Sequence, residues 1–306
     1  MLTDNVLELQ VVTGRGERLT CSPTRNPGLF DAVRAGLGQV AVVAGATLGL
    51  VSTPERVGRF LLHYPDLATM LEDQRLLTAE RRFDAVQGAV LPTPTGTWLF
   101  RLDLVKDLYG SPPDEAALLA GLSDDRARAE LSTLPYLDYL DRLAALERLL
   151  RSEGRWSFPH PWLTTFVGDA AVEAVVADEL AALTPADLGP LGQVVVSPIV
   201  AASVRTPLLR LPPDPLCFTF NLIRLPATDD AAEARRLVTA NRGRSMSGSG
   251  TPVGRRTRLA PSRCRRPTGA HISGRPSMGS PRPSASTTRA TCSRPATRSS
   301  LIRKSP

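Results

Sequence analysis

The sequence is short of the residues from which much hydrolytic and metal chemistry is built. Three histidines in 306 residues leave no Ser/His pair and no histidine-rich metal constellation to consider. The four cysteines, Cys21, Cys217, Cys264 and Cys292, show no C-x-x-C pairing and no metal-ligand spacing. No apolar run approaches the roughly 20 residues of a membrane span. The N-terminus has no basic-then-apolar leader either. A soluble, cytoplasmic chain without a membrane partner is the expectation.

Acidic charge is also missing, but only in one place. Lys and Arg total 37 against 30 Asp and Glu, a net charge of +7. Fifteen of the basic residues and none of the acidic ones lie beyond Asn241, so residues 1–241 hold 22 against 30 and carry a net of −8. The basic character belongs to the tail. There Arg, Ser, Pro, Thr and Gly dominate and apolar periodicity vanishes, so residues 241–306 are expected to be disordered. Such a tail can bind nucleic acid through charge. It contains no Phe, Trp or Tyr, however, and so lacks stacking platforms for single strands. Nucleic acid ranks last among the partners. The Ala/Leu/Val/Asp/Arg bias upstream also makes a shifted reading frame an explanation of the tail, which sequencing the locus decides.

The length allows two domains and a sizeable core. What is present first is a dense run of signals over residues 5–50. Leu7, Leu9 and Val11 alternate with Glu8 and Gln10, the period of a half-buried strand. Gly14-Arg15-Gly16 supplies the positive φ of a tight hairpin, and residues 17–21 return as a second strand. Asn26 and Pro27 open a helix that Gly36 ends. Residues 40–50 are continuously apolar, which suits a strand covered on both faces.

Residues 36–41 also fit the spacing G-x-G-x-x-A. A dinucleotide fingerprint follows a strand and opens a helix, whereas this one follows a helix and opens a strand, so a nicotinamide reading fails. Two readings of the glycines stay open. One is a helix cap with a tight turn; the other is backbone left bare so that a ligand can approach it.

The segments NVLELQVVTG, TCS, NPGLF and AGLGQVAVV resemble, in order and at close spacing, the NVLELDVVTG, TCS, NPELF and GGLGQFGIIT of the flavin-dependent oxidases that include the cytokinin dehydrogenases. The resemblance implies a two-part FAD domain with a substrate domain inserted between its parts. It implies backbone approach to FAD at Gly36, Gly38 and Gln39, and a flavin contact at Val43. In that family a long upstream segment carries the phosphate-cradling glycine loop, the histidine that often tethers the flavin, and the aspartate proposed to accept the substrate's proton. None of these has a counterpart here, so no catalytic residue is assigned. Weak or no FAD binding by this chain alone is expected, since one wall cannot bury a cofactor.

After a linker at residues 52–55 the pattern changes. Residues 57–64 read as a strand, and Asp66 caps a helix with Leu67, Met70, Leu71 and Gln74 on one side. Glu72-Asp73-Gln74 resembles the family's EDQ and reads locally as an exposed helix face. FDAVQGAVL (residues 83–91) resembles the family's FDYVEGFVI, whose glutamate lies near the substrate pocket. The residue here is Gln87, which can donate and accept hydrogen bonds but holds no charge. Residues 136–152 read as one long amphipathic helix with Leu140, Leu143 and Leu150 on a face. Glu147 stands 15 residues before Trp162, where the family places a substrate-contacting glutamate. An ion pair with Arg151 at i+4 explains Glu147 equally well.

GRWSFPHPWL (residues 154–163) resembles the family's GLWxVPHPWLN. The prolines around His160 stiffen an extended segment. They present Trp162 either as a flat surface for a planar ring or as a core side chain. The family's asparagine is Thr164 here, which leaves the exact substrate open. His160 reads as structural. Further strands at residues 193–201 and 216–225 alternate with helices at 169–183 and from 228.

The expected fold is therefore α+β: a partial FAD-binding domain (1–54), an antiparallel sheet with a helical layer forming a substrate domain (55–240), and a disordered C-terminal tail (241–306). The function the resemblance implies is FAD-dependent oxidation of a small planar amine or alcohol by hydride transfer to flavin, impaired in a fragment. The alternative is a non-catalytic remnant or binding domain without flavin. A separate chain supplying the rest of the FAD domain is a further expected partner.

Overall fold

The computed structural model describes residues 2–110 and 113–247, with side chains described as far as Asn241. Strand β1 (Val6–Thr13) turns into β2 (Arg18–Cys21) through the expected hairpin. Gly16 has φ of +80°, and its amide donates to the Thr13 carbonyl at 2.9 Å. Helix α1 (Pro27–Val33) follows. Leu9, Val11, Cys21, Phe30 and Ala41 form a small core against it. Asn26 does not cap α1 through its side chain. It sits in the left-handed region, and its amide donates instead to the Thr20 carbonyl at 2.9 Å.

Strand β3 (Ala41–Leu48) pairs antiparallel with β1, giving the order β2-β1-β3. The expectation of a strand covered on both faces fails. Among the described residues β3 is an edge, with Val42 69% and Val43 48% exposed. Only Ala41 turns into the small core, because α1 spans too few residues to cover the rest of the strand. Leu7 is also exposed, beside a register irregularity between Val6 and Glu8.

The larger body contains β4 (Arg56–Tyr64), α2 (Leu67–Glu80), β5 (Ala85–Pro92), β6 (Trp98–Leu108), α3 (Glu115–Leu118) and β7 (Glu130–Pro135). It continues with α4 (Tyr136–Leu140), α5 (Ala144–Ser152), β8 (Leu163–Gly168), α6 (Val172–Ala182) and α7 (Pro185–Leu188). Strands β9 (Gln193–Val200) and β10 (Leu216–Ile223) and helix α8 (Ala231–Ser247) complete it. Seven strands form one sheet in the order β7-β4-β6-β5-β9-β10-β8, antiparallel throughout. Helices α2 and α6 pack on one face. Their Met70, Leu71, Leu77 and Val176 meet the alternating Phe60, Leu62, Leu102, Leu104, Val194, Phe218, Phe220 and Leu222. This is the α+β arrangement expected, and burial of side chains of this size is the dominant stabilising term.

Asp66 caps α2 by accepting from the Thr69 amide at 2.9 Å. The helix departs from expectation at the EDQ triplet. Glu72 is exposed, but Asp73 is 4% and Gln74 0% exposed. Asp73 accepts the Ser123 amide at 2.8 Å, tying the loop after α3 to the helix. The long helix expected over residues 136–152 is also corrected. It breaks into α4 and α5 at residues 141–143, where the Ala144 amide donates to the Asp141 carbonyl. Of its apolar face only Leu150 is buried, while Leu140 and Leu143 are exposed.

Helix α8 carries on to Ser247, past the point where the tail was expected to begin. The remainder of that expectation, residues 248–306, lies outside the described residues. Among those described, no helix is long and apolar enough to cross a membrane.

Candidate functional site

The face of the seven-stranded sheet opposite α2 and α6 is the more polar one. Strand alternation assigns its residues. If Leu102, Val196, Phe220 and Leu163 face the helices, then Asp103, Gln87, Val195, Ser197, Thr219, Asn221 and Thr164 face the other way. Gln87 pairs across strands with Asp103, and Thr164 pairs with Asn221. Two of the predicted substrate positions, Gln87 and Thr164, therefore share one face, separated by β9 and β10.

That face has internal order. Arg59 holds Asp103 through two parallel bonds, Nε to Oδ1 at 2.9 Å and Nη2 to Oδ2 at 2.6 Å, the fork geometry that fixes a carboxylate firmly. The Thr219 hydroxyl donates to the Ser197 carbonyl at 3.4 Å, and the Asn221 amide reaches the Val195 carbonyl at 3.5 Å. Both bonds are long, and both side chains are half-buried.

Trp162 stands immediately before β8, and its amide donates to the His160 carbonyl at 2.8 Å. Its indole is 39% exposed, so it is not a core side chain. The ring is nonetheless anchored: Nε1 donates to the Arg224 carbonyl at 2.7 Å. His160 lies alongside with ring centroids 5.8 Å apart. Burial and the nearby Arg155 hold the His160 imidazole below its ordinary pKa. It is therefore neutral near pH 7 and suited to packing. Arg155 donates to the Pro226 and Leu225 carbonyls, both at 3.3 Å. The segment is thus tied to the chain after β10 at both ends.

Glu147 is not brought to this face by any contact. It accepts from Arg151 at 2.7 Å across one helical turn, with 44% of its side chain exposed.

The four predicted cofactor positions divide. A Cβ on Gly36 would lie 2.3 Å from the Ala32 carbonyl oxygen, so its bareness is required by the end of α1 itself. Gly38 has φ of +71°, and nothing lies within 4 Å of where its Cβ would be. Gln39 is exposed, its amide donating to the Gly36 carbonyl at 3.0 Å. Val43 is half exposed on β3 and pairs with Val11 on one side only. The backbone is bare at Gly38, and β3 leaves the apolar Val42 and Val43 exposed. Bare backbone and exposed apolar side chains are compatible with contact to a flavin and do not enclose one.

Cavities also occur elsewhere among the described residues. One of about 260 Å³ lies among Asp187, Leu188, Pro226 and Glu233; one of about 440 Å³ lies among Arg81, Pro198, Val200 and Ser203. Neither includes a predicted residue. Among the described residues no cluster of His, Cys, Asp or Glu could hold a metal ion. Cys21 and Cys217 are buried, and burial pushes both thiols up and away from reactivity.

Sequence reasoning missed Asn221 and, more importantly, Arg224. The guanidinium of Arg224 is completely buried. The signal available was a charged residue directly following an apolar strand, which by itself says only that the strand ends.

Residues 115–242 match the family described as "Cytokinin dehydrogenase 1, FAD and cytokinin binding". The chain is 37% identical over 243 residues to an uncharacterized oxidoreductase of the fasciation locus of Rhodococcoides fascians, covering 78% of this chain and 54% of that protein. It is 34% identical over 204 residues to cytokinin dehydrogenase 6 of Oryza sativa subsp. japonica, covering 55% of this chain and 39% of that enzyme. The chain thus spans about half, or less, of the curated relatives it matches.

Solved structures share the fold. A BBE-like protein of Physcomitrella patens superposes with a TM-score of 0.52 at 15% identity, covering 79% of this chain and 55% of that one. A VAO-type flavoprotein of Myceliophthora thermophila gives a TM-score of 0.52 at 18% identity, covering 80% and 46%.

Proposed function

We propose, from the premise that this chain belongs to the cytokinin dehydrogenase-like FAD oxidoreductases, that it supplies the substrate-facing part of an enzyme oxidising a small planar amine or alcohol. The observation that carries the reading is the half-exposed, anchored Trp162 beside a polar sheet face bearing Gln87 and Thr164. The indole offers a planar substrate a face to stack on. Gln87 and Thr164 offer neutral hydrogen-bonding groups that orient it without demanding charge. FAD, when bound, supplies the hydride acceptor. Gly36, Gly38, Gln39 and Val43 are the residues of this chain that would lie against it. No described residue is assigned as the base for the accompanying proton.

The chain alone is proposed to bind FAD weakly, because β3 is open and the Gly38 surface is a single wall. That openness also favours a second reading, a flavin-free binding domain. Residues 1–54, 55–240 and 241–306 are proposed as cofactor wall, substrate domain and tail, in a cytoplasmic protein. Titrating the purified protein with FAD and a cytokinin, isopentenyladenine, separates the readings. Flavin-dependent binding that bleaches flavin absorbance supports the oxidoreductase. Isopentenyladenine binding that ignores FAD supports the binding domain, and binding of neither contradicts both.

A further inference from the structure

The chain direction that presents Trp162 is set by two residues that do not face the polar sheet surface. Arg224 Nη1 donates to the Pro161 carbonyl at 3.0 Å, and its Nε donates to the Asp187 carbonyl at 2.9 Å. The same Nη1 meets Asn241 Oδ1. Asn241 Nδ2 in turn donates to the Pro161 carbonyl at 3.1 Å. The carbonyl immediately before Trp162 therefore receives two donors, one from the end of β10 and one from α8. The indole Nε1 closes the loop by donating to the carbonyl of Arg224 itself at 2.7 Å. Arg224 is 0% and Asn241 6% exposed.

We infer that Arg224 and Asn241 are positioning residues for Trp162: they fix the Pro161 carbonyl and, through the Arg224 backbone, the plane of the indole. This rests on the reading of Trp162 as the substrate-facing ring. The physical reason is redundancy. Pro161 donates no backbone hydrogen bond and has a fixed φ, so the freedom left to the Pro161–Trp162 peptide is rotation about ψ of Pro161. The Trp162 amide, donating to the His160 carbonyl at 2.8 Å, restrains one side of that peptide, and the two donors on the Pro161 carbonyl restrain the other. A guanidinium suits the task because its rigid fork serves acceptors on three different elements at once, which an ammonium cannot do. A ring held in this way loses little conformational entropy when a planar ligand stacks on it, and that saving appears as affinity.

The test uses the full chain labelled with 5-fluorotryptophan, which gives one fluorine signal each for Trp98, Trp156 and Trp162, the last assigned with Trp162→Phe. Asn241→Ala is expected to shift or broaden the Trp162 signal while that of Trp98 stays in place. It is also expected to weaken isopentenyladenine binding, with FAD added, by about three- to tenfold, the worth of one well-oriented aromatic contact. Arg224→Lys, which keeps the charge but not the fork, is expected to give a similar local change. Unchanged Trp162 signals in both variants overturn the inference; if Arg224→Lys fails to fold, Asn241→Ala decides alone. A wild-type Trp162 signal that ignores isopentenyladenine overturns the substrate reading. A shift caused by Asn241→Ala in that case still upholds the positioning of the ring.

Discussion

Gly88 in the middle of β5 lies against Gln74 on α2 so closely that a Cβ on the glycine would stand 2.5 Å from Gln74 Nε2 and 2.6 Å from the Val196 carbonyl. The glycine admits a buried amide to the sheet, and the strand backbone behind it cannot retreat. Gly88→Ala is therefore expected to destabilise the protein by about 1–3 kcal/mol, the cost of overpacking a filled interior. Chemical denaturation measures it.

The two glycines of the loop after α1 should behave differently. Gly36→Ala collides with the Ala32 carbonyl and should melt the β1–β3 sheet at lower temperature. Gly38→Ala meets no atom and should cost only the left-handed backbone penalty of about 1–2 kcal/mol. If flavin approaches the bare backbone at Gly38, the same variant should also weaken FAD binding, read from a titration of flavin fluorescence.

Asp73 gives a dependence on pH with a definite sign. Burial raises its carboxyl above the ordinary range, with Asp124 and Glu72 adding to the rise and the Ser123 amide opposing it. The folded state therefore binds the proton more tightly than the unfolded chain. Stability should be greatest below the unfolded pKa of about 4 and fall as pH rises towards the folded value. Asp73→Asn keeps an acceptor for Ser123 without the charge. It should lose this slope and be at least as stable near neutrality, checked by denaturant midpoints across pH.

Glu147→Gln should change stability by less than about 0.5 kcal/mol, since exposed i,i+4 pairs contribute little. It should leave isopentenyladenine affinity untouched. An affinity loss beyond that range would make Glu147 a substrate contact rather than a partner of Arg151 alone.

Much of the fold was legible where apolar side chains alternate or a cap is local. Leu9 and Val11, Phe218, Phe220 and Leu222, and the Asp66 cap all lie as their spacing predicts. Legibility failed where the outcome depends on a partner distant in sequence. The apolar composition of β3 gave no indication that one of its sides would be open. Strand β7, with the sequence ELSTLP, carries too few apolar residues to announce itself and forms by pairing with β4. No Pro or Gly marks the break between α4 and α5. Asp73 and Arg224 are polar residues whose burial follows from donors and acceptors supplied by other elements, and Gln74 is buried against the bare backbone of Gly88. At the candidate site, the rigid Pro-His-Pro-Trp segment was readable. The Arg224–Asn241 support beneath it was not.

Titration of the wild-type chain and Trp162→Ala with isopentenyladenine in the presence of FAD, followed by tryptophan fluorescence, tests the role of Trp162 most directly. Saturable quenching is expected in the wild type, lost or weakened at least about tenfold in Trp162→Ala. Equal binding by the two proteins would contradict a substrate-facing Trp162.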